Sequence, residues 1–228
     1  MLLTSGAVPS GDAWTLQLEK DGGRAPLRYD GRVGVPADTQ WRECSEQFPE
    51  LAAMAEVLGK RRVTLDGEPV CLRSDGRPDF ARLRHRLAGS AVGWHPPMLQ
   101  VLDVLHLDGC SPRPFPYAER RALLEELALD GPGWRTPASL VVERTEDFVG
   151  RVAELGLEGV VAKRLSSSWI PGRRCTSWVK HKLRREKRRA VTGVRRTAHD
   201  VPEAVFVARP GADGSLASAG SVELRLGR

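Results

Sequence analysis

The sequence predicts an α+β fold, with antiparallel-rich sheets and flanking helices, on three observations. Strand-like segments are short and separated by turn residues. Helical periodicity is confined to a few stretches. A strongly basic segment then divides off a short group of strand-like runs at the C-terminal end. The 228 residues suffice for one or two domains with a sizeable core. Hydrophobic residues at 41% and charged residues at 28% describe a globular chain and exclude a wholly disordered one.

In chain order, Trp14–Leu18 alternates apolar and polar residues and predicts a strand. Asp21-Gly22-Gly23 predicts a turn, and residues 28–35 a second strand around Asp30-Gly31. Phe48-Pro49-Glu50 opens an apolar-periodic stretch, Leu51–Leu58, read as a helix with proline at its start. Residues 62–72 read as strand, glycine turn, strand, and 79–87 as a short basic helix. The apolar run Met98–Leu107, bounded by Pro97 and Asp108-Gly109, predicts a buried strand. Tyr117–Leu129 carries helical periodicity and strong helix formers. Strands are expected at 139–143, 159–163 and 177–183, with a helix at 146–155. After the basic stretch, 190–196, 204–209 and 221–226 read as three more strands. The expected domains are 1–185 and 186–228, the second being small for an independent core.

Other features bound the function. No run approaches the ~18–20 apolar residues of a membrane span, so no membrane partner is expected. Residues 1–14 lack the basic and apolar regions of a secretory signal. Cys44, Cys71, Cys110 and Cys175 stand far apart without a C-x-x-C pair, which argues against zinc or disulfides and fits a cytoplasmic setting. The formal charge is +6. Between Arg173 and Arg196 stand eleven Lys or Arg against one acid, Glu186. Such a run is either a solvated segment or a nucleic-acid surface. The five histidines are scattered and take no catalytic or metal role.

Three local patterns bear on chemistry: Leu65-Asp66-Gly67-Glu68, an acidic turn; Glu158-Gly159-Val160-Val161-Ala162-Lys163, a carboxylate and an ammonium around an apolar strand; and Trp178-Val179-Lys180-His181-Lys182. The odd offset of Glu158 and Lys163 puts them on opposite strand faces unless the backbone bulges at Gly159. Lys180 and Lys182, two apart, share one face and suit a polyanion between them.

In order and spacing these patterns resemble the ATP-dependent DNA ligases, and among them the adenylation (nucleotidyltransferase) domains of bacterial end-joining enzymes. The resemblance runs from about Trp14 to Leu226. It implies an adenylation domain followed by a partial oligonucleotide-binding (OB) barrel. In that family a lysine attacks the α-phosphate of ATP, and the AMP passes to a 5′-phosphate at a DNA nick, which a 3′-hydroxyl then seals. The resemblance implies ATP and Mg²⁺ or Mn²⁺ as cofactors. It further implies nicked or broken duplex DNA and DNA-repair proteins as partners, and a nucleoid-associated, cytoplasmic location. Residue by residue, it gives Glu68 to the ribose, Glu158 to the metal, and Arg24, Leu102, Lys163, Lys180 and Lys182 to the nucleotide. Pro171-Gly172-Arg173-Arg174 resembles the P-G-R-R before the last of these motifs. The basic residues Arg173, Arg174, Arg184, Arg185, Arg188 and Arg189 are expected on DNA.

The sequence also departs from the family. In the nucleophile motif K-x-D-G-x-R, the register set by Asp21, Gly22 and Arg24 puts Glu19 where the lysine belongs. Lys20 is one step off, and a one-residue shift turns a strand side chain to the other face. A carboxylate cannot form the phosphoramidate, so the ungapped register predicts no lysyl-AMP; a backbone bulge would present Lys20 instead. Leu102 stands at the adenine-stacking aromatic, Gln17 at a glutamate, and residues 38–41 lack an expected arginine. Two functions therefore compete at this stage: nick sealing, and non-catalytic binding or an accessory part in DNA repair.

Overall fold

The computed structural model describes residues 1–20, 22–31, 33–34, 48–74, 76–88, 97–183, 189–211 and 213–224. Asp21, Arg184, Arg185, Arg188 and the 38–41 segment lie outside them. The chain forms two compact units, Met1–Leu183 and Arg184–Arg228.

The first unit is built on two sheets. One holds β1 (Leu2–Ser5), β10 (Arg174–Lys182), β9 (Gly159–Arg164) and β2 (Trp14–Glu19) in that spatial order. The other runs β4 (Val33–Gly34), β3 (Ala25–Tyr29), β5 (Val63–Val70), β6 (Met98–Leu107), β8 (Trp134–Arg135), β7 (Asp130–Gly131). Pairings are antiparallel except β1–β10 and β6–β8. The apolar run 98–107 forms β6 because both its faces are covered: Leu99, Val101 and Val104 are buried against Leu65, Leu83 and Leu124 in the main core.

Among the described residues, four helices flank the sheets. A 3-10 turn, Pro49–Ala53, leads into α1 (Met54–Leu58), so the predicted helix at 51–58 starts in the tighter form. In α2 (Phe80–Leu87), Asp79 accepts the N–H of Arg82 as a cap and Leu83 is the buried anchor. α3 (Tyr117–Glu126) buries Tyr117, Arg120 and Leu124. α4 (Thr145–Glu154) sets Val152 and Phe148 against Leu16, Val160 and Ala162, joining β2 and β9 in a second core.

Several sequence expectations are corrected. Residues 62–72 are not strand–turn–strand. Residues 63–70 are one strand, paired to β3 on one side and β6 on the other. Gly67 marks no turn; a Cβ there would stand 2.8 Å from Leu99 Cδ1 and 3.2 Å from the Ala25 carbonyl oxygen. The expected strand at 28–35 is not one strand: Arg28 and Tyr29 of β3 pair antiparallel with Gly34 and Val33 of β4, and Gly31 between them has a φ of 105°. Residues 139–143 form no strand; only Leu140 bridges, to Leu16. β1, β7 and β8 were not foreseen.

The second unit is a three-stranded antiparallel meander, β11 (Ala190–Arg196), β12 (Pro202–Pro210) and β13 (Leu216–Glu223). No helix among the described residues is long and apolar enough to cross a membrane.

Candidate functional site

The two sheets of the first unit leave a cleft of about 110 Å³. Its lining includes Gln17, Glu19, Lys20, Arg24, Glu68, Gln100, Leu102, Lys163, Trp178 and Lys180. Residues from six strands and two intervening loops thus meet in one concavity.

Strand alternation places the first wall. Thr15, Gln17 and Glu19 are buried on one face of β2, while Leu16 packs into the core behind. The β2–β9 ladder runs residue for residue from Trp14–Arg164 to Glu19–Gly159, with no register shift. Lys180 pairs with Val161, which pairs with Gln17, so all three share the cleft face. From there the Lys180 ammonium reaches diagonally to the Glu19 carboxylate and forms an ion pair. Glu19 is buried to 5% exposure, which strengthens such a contact over a surface pair. Gly159 sits between these strands because a Cβ there would meet the His181 carbonyl at 2.2 Å.

Lys163 enters from the next position on that face of β9. It donates to the Leu102 carbonyl (3.1 Å) and Tyr117 Oη (3.5 Å). Its ammonium lies 4.2 Å from the Trp178 ring centroid and 4.9 Å from that of Tyr117. Gln17 Nε2 donates to the same Tyr117 hydroxyl at 3.0 Å. The cation is therefore held by two rings and two oxygens, with the Asp66 and Asp103 charges nearby.

The second wall is polar below and apolar above. Arg24 Nε donates to Asp66 Oδ1 at 2.8 Å, and its guanidinium stacks over Trp178 at 5.8 Å. Burial works to raise the Asp66 pKa. The Arg24 hydrogen bonds and charge overcome it and hold the carboxyl below its usual range, with a further bond from Trp169 Nε1. Deeper still, Arg120 donates to both Asp103 oxygens and to the carbonyls of Phe115 and Ser167. This ties β6 to the segment after β9, fixing the two sheets about the cleft.

Two shifts mark the cleft as electrostatically unusual. Burial, then the nearby Glu19 charge, push the Glu68 carboxyl up to about 7, against Lys180 and Arg24. Burial and the Arg135 charge lower the Lys20 pKa. Perturbed groups gathered in one cleft are a functional signature.

Of the residues singled out in the sequence, Glu19, Lys20, Arg24, Glu68, Leu102, Lys163 and Lys180 line this cleft. Glu158 and Lys182 do not. Glu158 precedes β9, half-buried, and its carbonyl accepts from Leu183 N. Lys182 pairs with Gly159 at the exposed end of β10. Arg173 and Arg174 are exposed at the start of β10, where Arg174 donates to the Leu3 carbonyl. Arg189 belongs to the second unit. No group of three His, Cys, Asp or Glu among the described residues could hold a metal ion. Sequence reasoning missed Gln100, Tyr117, Trp178 and Arg120. A signal existed for the first, because Gln100 is a polar residue inside the apolar run of β6.

The comparisons with known proteins agree with this geometry. A model of the "ATP dependent DNA ligase domain" matches residues 8–182. The chain belongs to the ATP-dependent DNA ligase family. The multifunctional non-homologous end joining protein LigD of Mycolicibacterium smegmatis is 36% identical over 186 residues, 80% of this chain and 23% of that protein. A DNA ligase of Thermococcus onnurineus is 31% identical over 176 residues, 73% of this chain and 31% of the relative. The chain thus spans about a quarter to a third of these ligase-family relatives. Among solved structures, mycobacterial DNA ligase D complexed with ATP and MES superposes with a TM-score of 0.72 at 32% identity, covering 97% of this chain and 71% of that one. The ligase domain of Mycobacterium tuberculosis LigD gives 0.69 at 31% identity.

Proposed function

We propose that this chain is a DNA-repair member of the ligase family that holds a nucleotide and a nicked or broken duplex without forming a lysyl-AMP of its own. The observation that carries the reading is the unshifted β2–β9 ladder, which delivers a carboxylate, Glu19, to the cleft and pairs it with Lys180. A carboxylate does not form a phosphorus–nitrogen bond, and it has already engaged a lysine that the family resemblance gives to phosphate.

The rest of the cleft suits a nucleotide. Lys180, Lys163 and Lys20 supply cations, Leu102 and Val161 supply apolar surface, and Glu68 and Gln100 supply polar contacts. The fit to a divalent metal is weaker, because Glu158 is absent from the lining. Mg²⁺ or Mn²⁺ would reach this site held mainly by the phosphates of ATP, a usual arrangement for Mg²⁺. The LigD relatives are named for non-homologous end joining, which supports duplex ends as the partner, met at the nucleoid in the cytoplasm.

One observation favours a second reading, in which Lys20 is the nucleophile. It lines the same cleft, and its lowered pKa enriches the reactive free amine. Labelled ATP with Mn²⁺, followed by a denaturing gel, separates the two. No protein–AMP band is expected from the natural chain, and Glu19→Lys is expected to create one. A strong band that vanishes in Lys20→Ala would establish the second reading.

A further inference from the structure

The first unit carries an exposed aromatic ring on a backbone held from several sides. Residues 111–116, Ser-Pro-Arg-Pro-Phe-Pro, join β6 to α3. Prolines at 112, 114 and 116 fix three φ angles. The segment is tied to the residues that follow β9. Trp169 N–H donates to the Arg113 carbonyl at 2.8 Å, and Ser168 Oγ donates to the Pro114 carbonyl at 3.1 Å. Arg120 bridges the two segments, donating to the carbonyls of Phe115 (2.6 Å) and Ser167 (2.8 Å). The Phe115 residue is nevertheless 46% exposed, and Ile170, on the second segment, is 40% exposed.

A single exposed apolar side chain is ordinary. The charge around these two is not. Residues 111–117 and 164–174 contain Arg113, Arg164, Arg173 and Arg174, all exposed, and no Asp or Glu. An apolar centre among such cations suits a ligand that brings both anions and apolar faces. Unpaired nucleotides do so, because every base has a face that stacks on an exposed ring and every base is followed by a phosphate. A paired duplex offers the phosphates without the faces. Little ordering remains for binding to cost, since the backbone under the ring is already fixed. The second segment also reaches the nucleotide cleft: Trp169 Nε1 donates to Asp66, the carboxylate that holds Arg24 in the cleft lining. That continuity favours a nucleic acid over an acidic peptide.

We infer that Phe115 and the arginines about it form a platform for the unpaired bases of a single-stranded DNA overhang, so that among broken duplexes this chain prefers ends with an overhang to blunt ends. The inference rests on the reading of the chain as a binder of broken duplex DNA, and it narrows that reading to one kind of end. Arg113, Pro114, Phe115 and Ile170 belong to none of the motifs that carry the family resemblance.

The test is fluorescence anisotropy of the full chain on one duplex ended in different ways, at fixed salt. A short oligo-dA overhang should bind tighter than the blunt end. It should also bind about fivefold or more tighter than an abasic overhang of the same length, because those two differ in bases and not in phosphates. Phe115→Ala removes an exposed ring and keeps the backbone contacts, so it should bring the two overhangs to parity at an unchanged Tm, whereas Phe115→Trp should keep the excess. Arg113→Gln should weaken both overhangs alike and leave their ratio. Parity of the two overhangs on the natural chain, or an excess that survives in Phe115→Ala, would overturn the inference. Parity together with displacement of the duplex by an acidic peptide bearing one tryptophan would overturn it in favour of a protein partner. Failure here is distinguishable from failure of the proposed function. An AMP adduct on the natural chain would overturn the non-adenylating reading while the overhang preference stood, and parity on a duplex still tightly bound would overturn the preference alone.

Discussion

Glu68 should make the folding stability of this protein depend on pH in a way that a single substitution removes. Its carboxyl is raised from 4.5 to about 7 by burial and by Glu19. The folded state therefore binds this proton more tightly than the unfolded chain does. The resulting stabilisation is complete below the unfolded value of 4.5 and is lost as pH rises through about 7. A displacement of that size corresponds to about 3 kcal/mol. Urea unfolding of the natural chain and of Glu68→Gln, at intervals from pH 4 to pH 8.5, should show profiles that diverge across this window. The natural chain should lose about 3 kcal/mol relative to the variant, of the order of 1 M in urea midpoint. Glu19→Gln removes the neighbouring charge and should shift the fall toward lower pH, because the second cause of the raised value is gone and Lys180, no longer answered by a carboxylate at position 19, acts on Glu68 in the same lowering sense as Arg24. Parallel profiles for the natural chain and Glu68→Gln would refute the placement of Glu68 in a desolvated cleft.

Three further outcomes follow from the geometry. Arg120→Met should cost about 3–5 kcal/mol in urea unfolding, because Asp103 is left as a buried charge with 0% side-chain exposure, and adding Asp103→Leu should recover much of the loss. Gly159→Ala should cost about 3 kcal/mol and some 6–12 °C in Tm by forcing a Cβ onto the His181 carbonyl, whereas Gly150→Ala on α4, with nothing within 4 Å, should be neutral or slightly stabilising by the same melts. Fluorescence anisotropy of a nicked duplex should show affinity falling with salt at a log–log slope near −0.9 per phosphate contacted. Charge reversal at Arg173, Arg174, Arg184, Arg185, Arg188 and Arg189 should flatten that slope, and an unaltered slope would remove the basic run from DNA binding.

How much was legible in the sequence depended on whether the cause was local. β6 and α3 were readable because an apolar run and a helical period are written in neighbouring residues. β5 was misread because Asp66-Gly67 carries the composition of a turn. What keeps it extended is remote: Arg24 and Trp169 satisfy Asp66, and Leu99 fills the space a Cβ at Gly67 would need. The two-residue strands β7 and β8 are too short to carry any period. At the site, the sequence showed that Glu19 departs from the ligase motif but not what it would touch, since Lys180 lies 161 positions away. Gln100 was visible as a polar residue in an apolar strand. Only the fold shows that its Nε2 has no hydrogen-bond partner among the described residues.

The electrostatics of the cleft give the Glu19 departure a physical sense. Four cations, Lys20, Arg24, Lys163 and Lys180, line one small space. Arg24 is answered by Asp66, and Lys163 by two rings and two oxygens. A lysine at position 19 would bring a fifth cation beside Lys180, and like charges about 4 Å apart repel by about 4 kcal/mol at an effective dielectric near 20. A polyanionic ligand relieves that repulsion only while it is bound. A glutamate there relieves it permanently, from within the chain. The same charge has a cost one strand-face away, where it helps push Glu68 toward the neutral, protonated form. The ion pair at Lys180 and the proton affinity of Glu68 are thus two consequences of one residue, and both follow from the side of β2 on which an unbroken ladder leaves it.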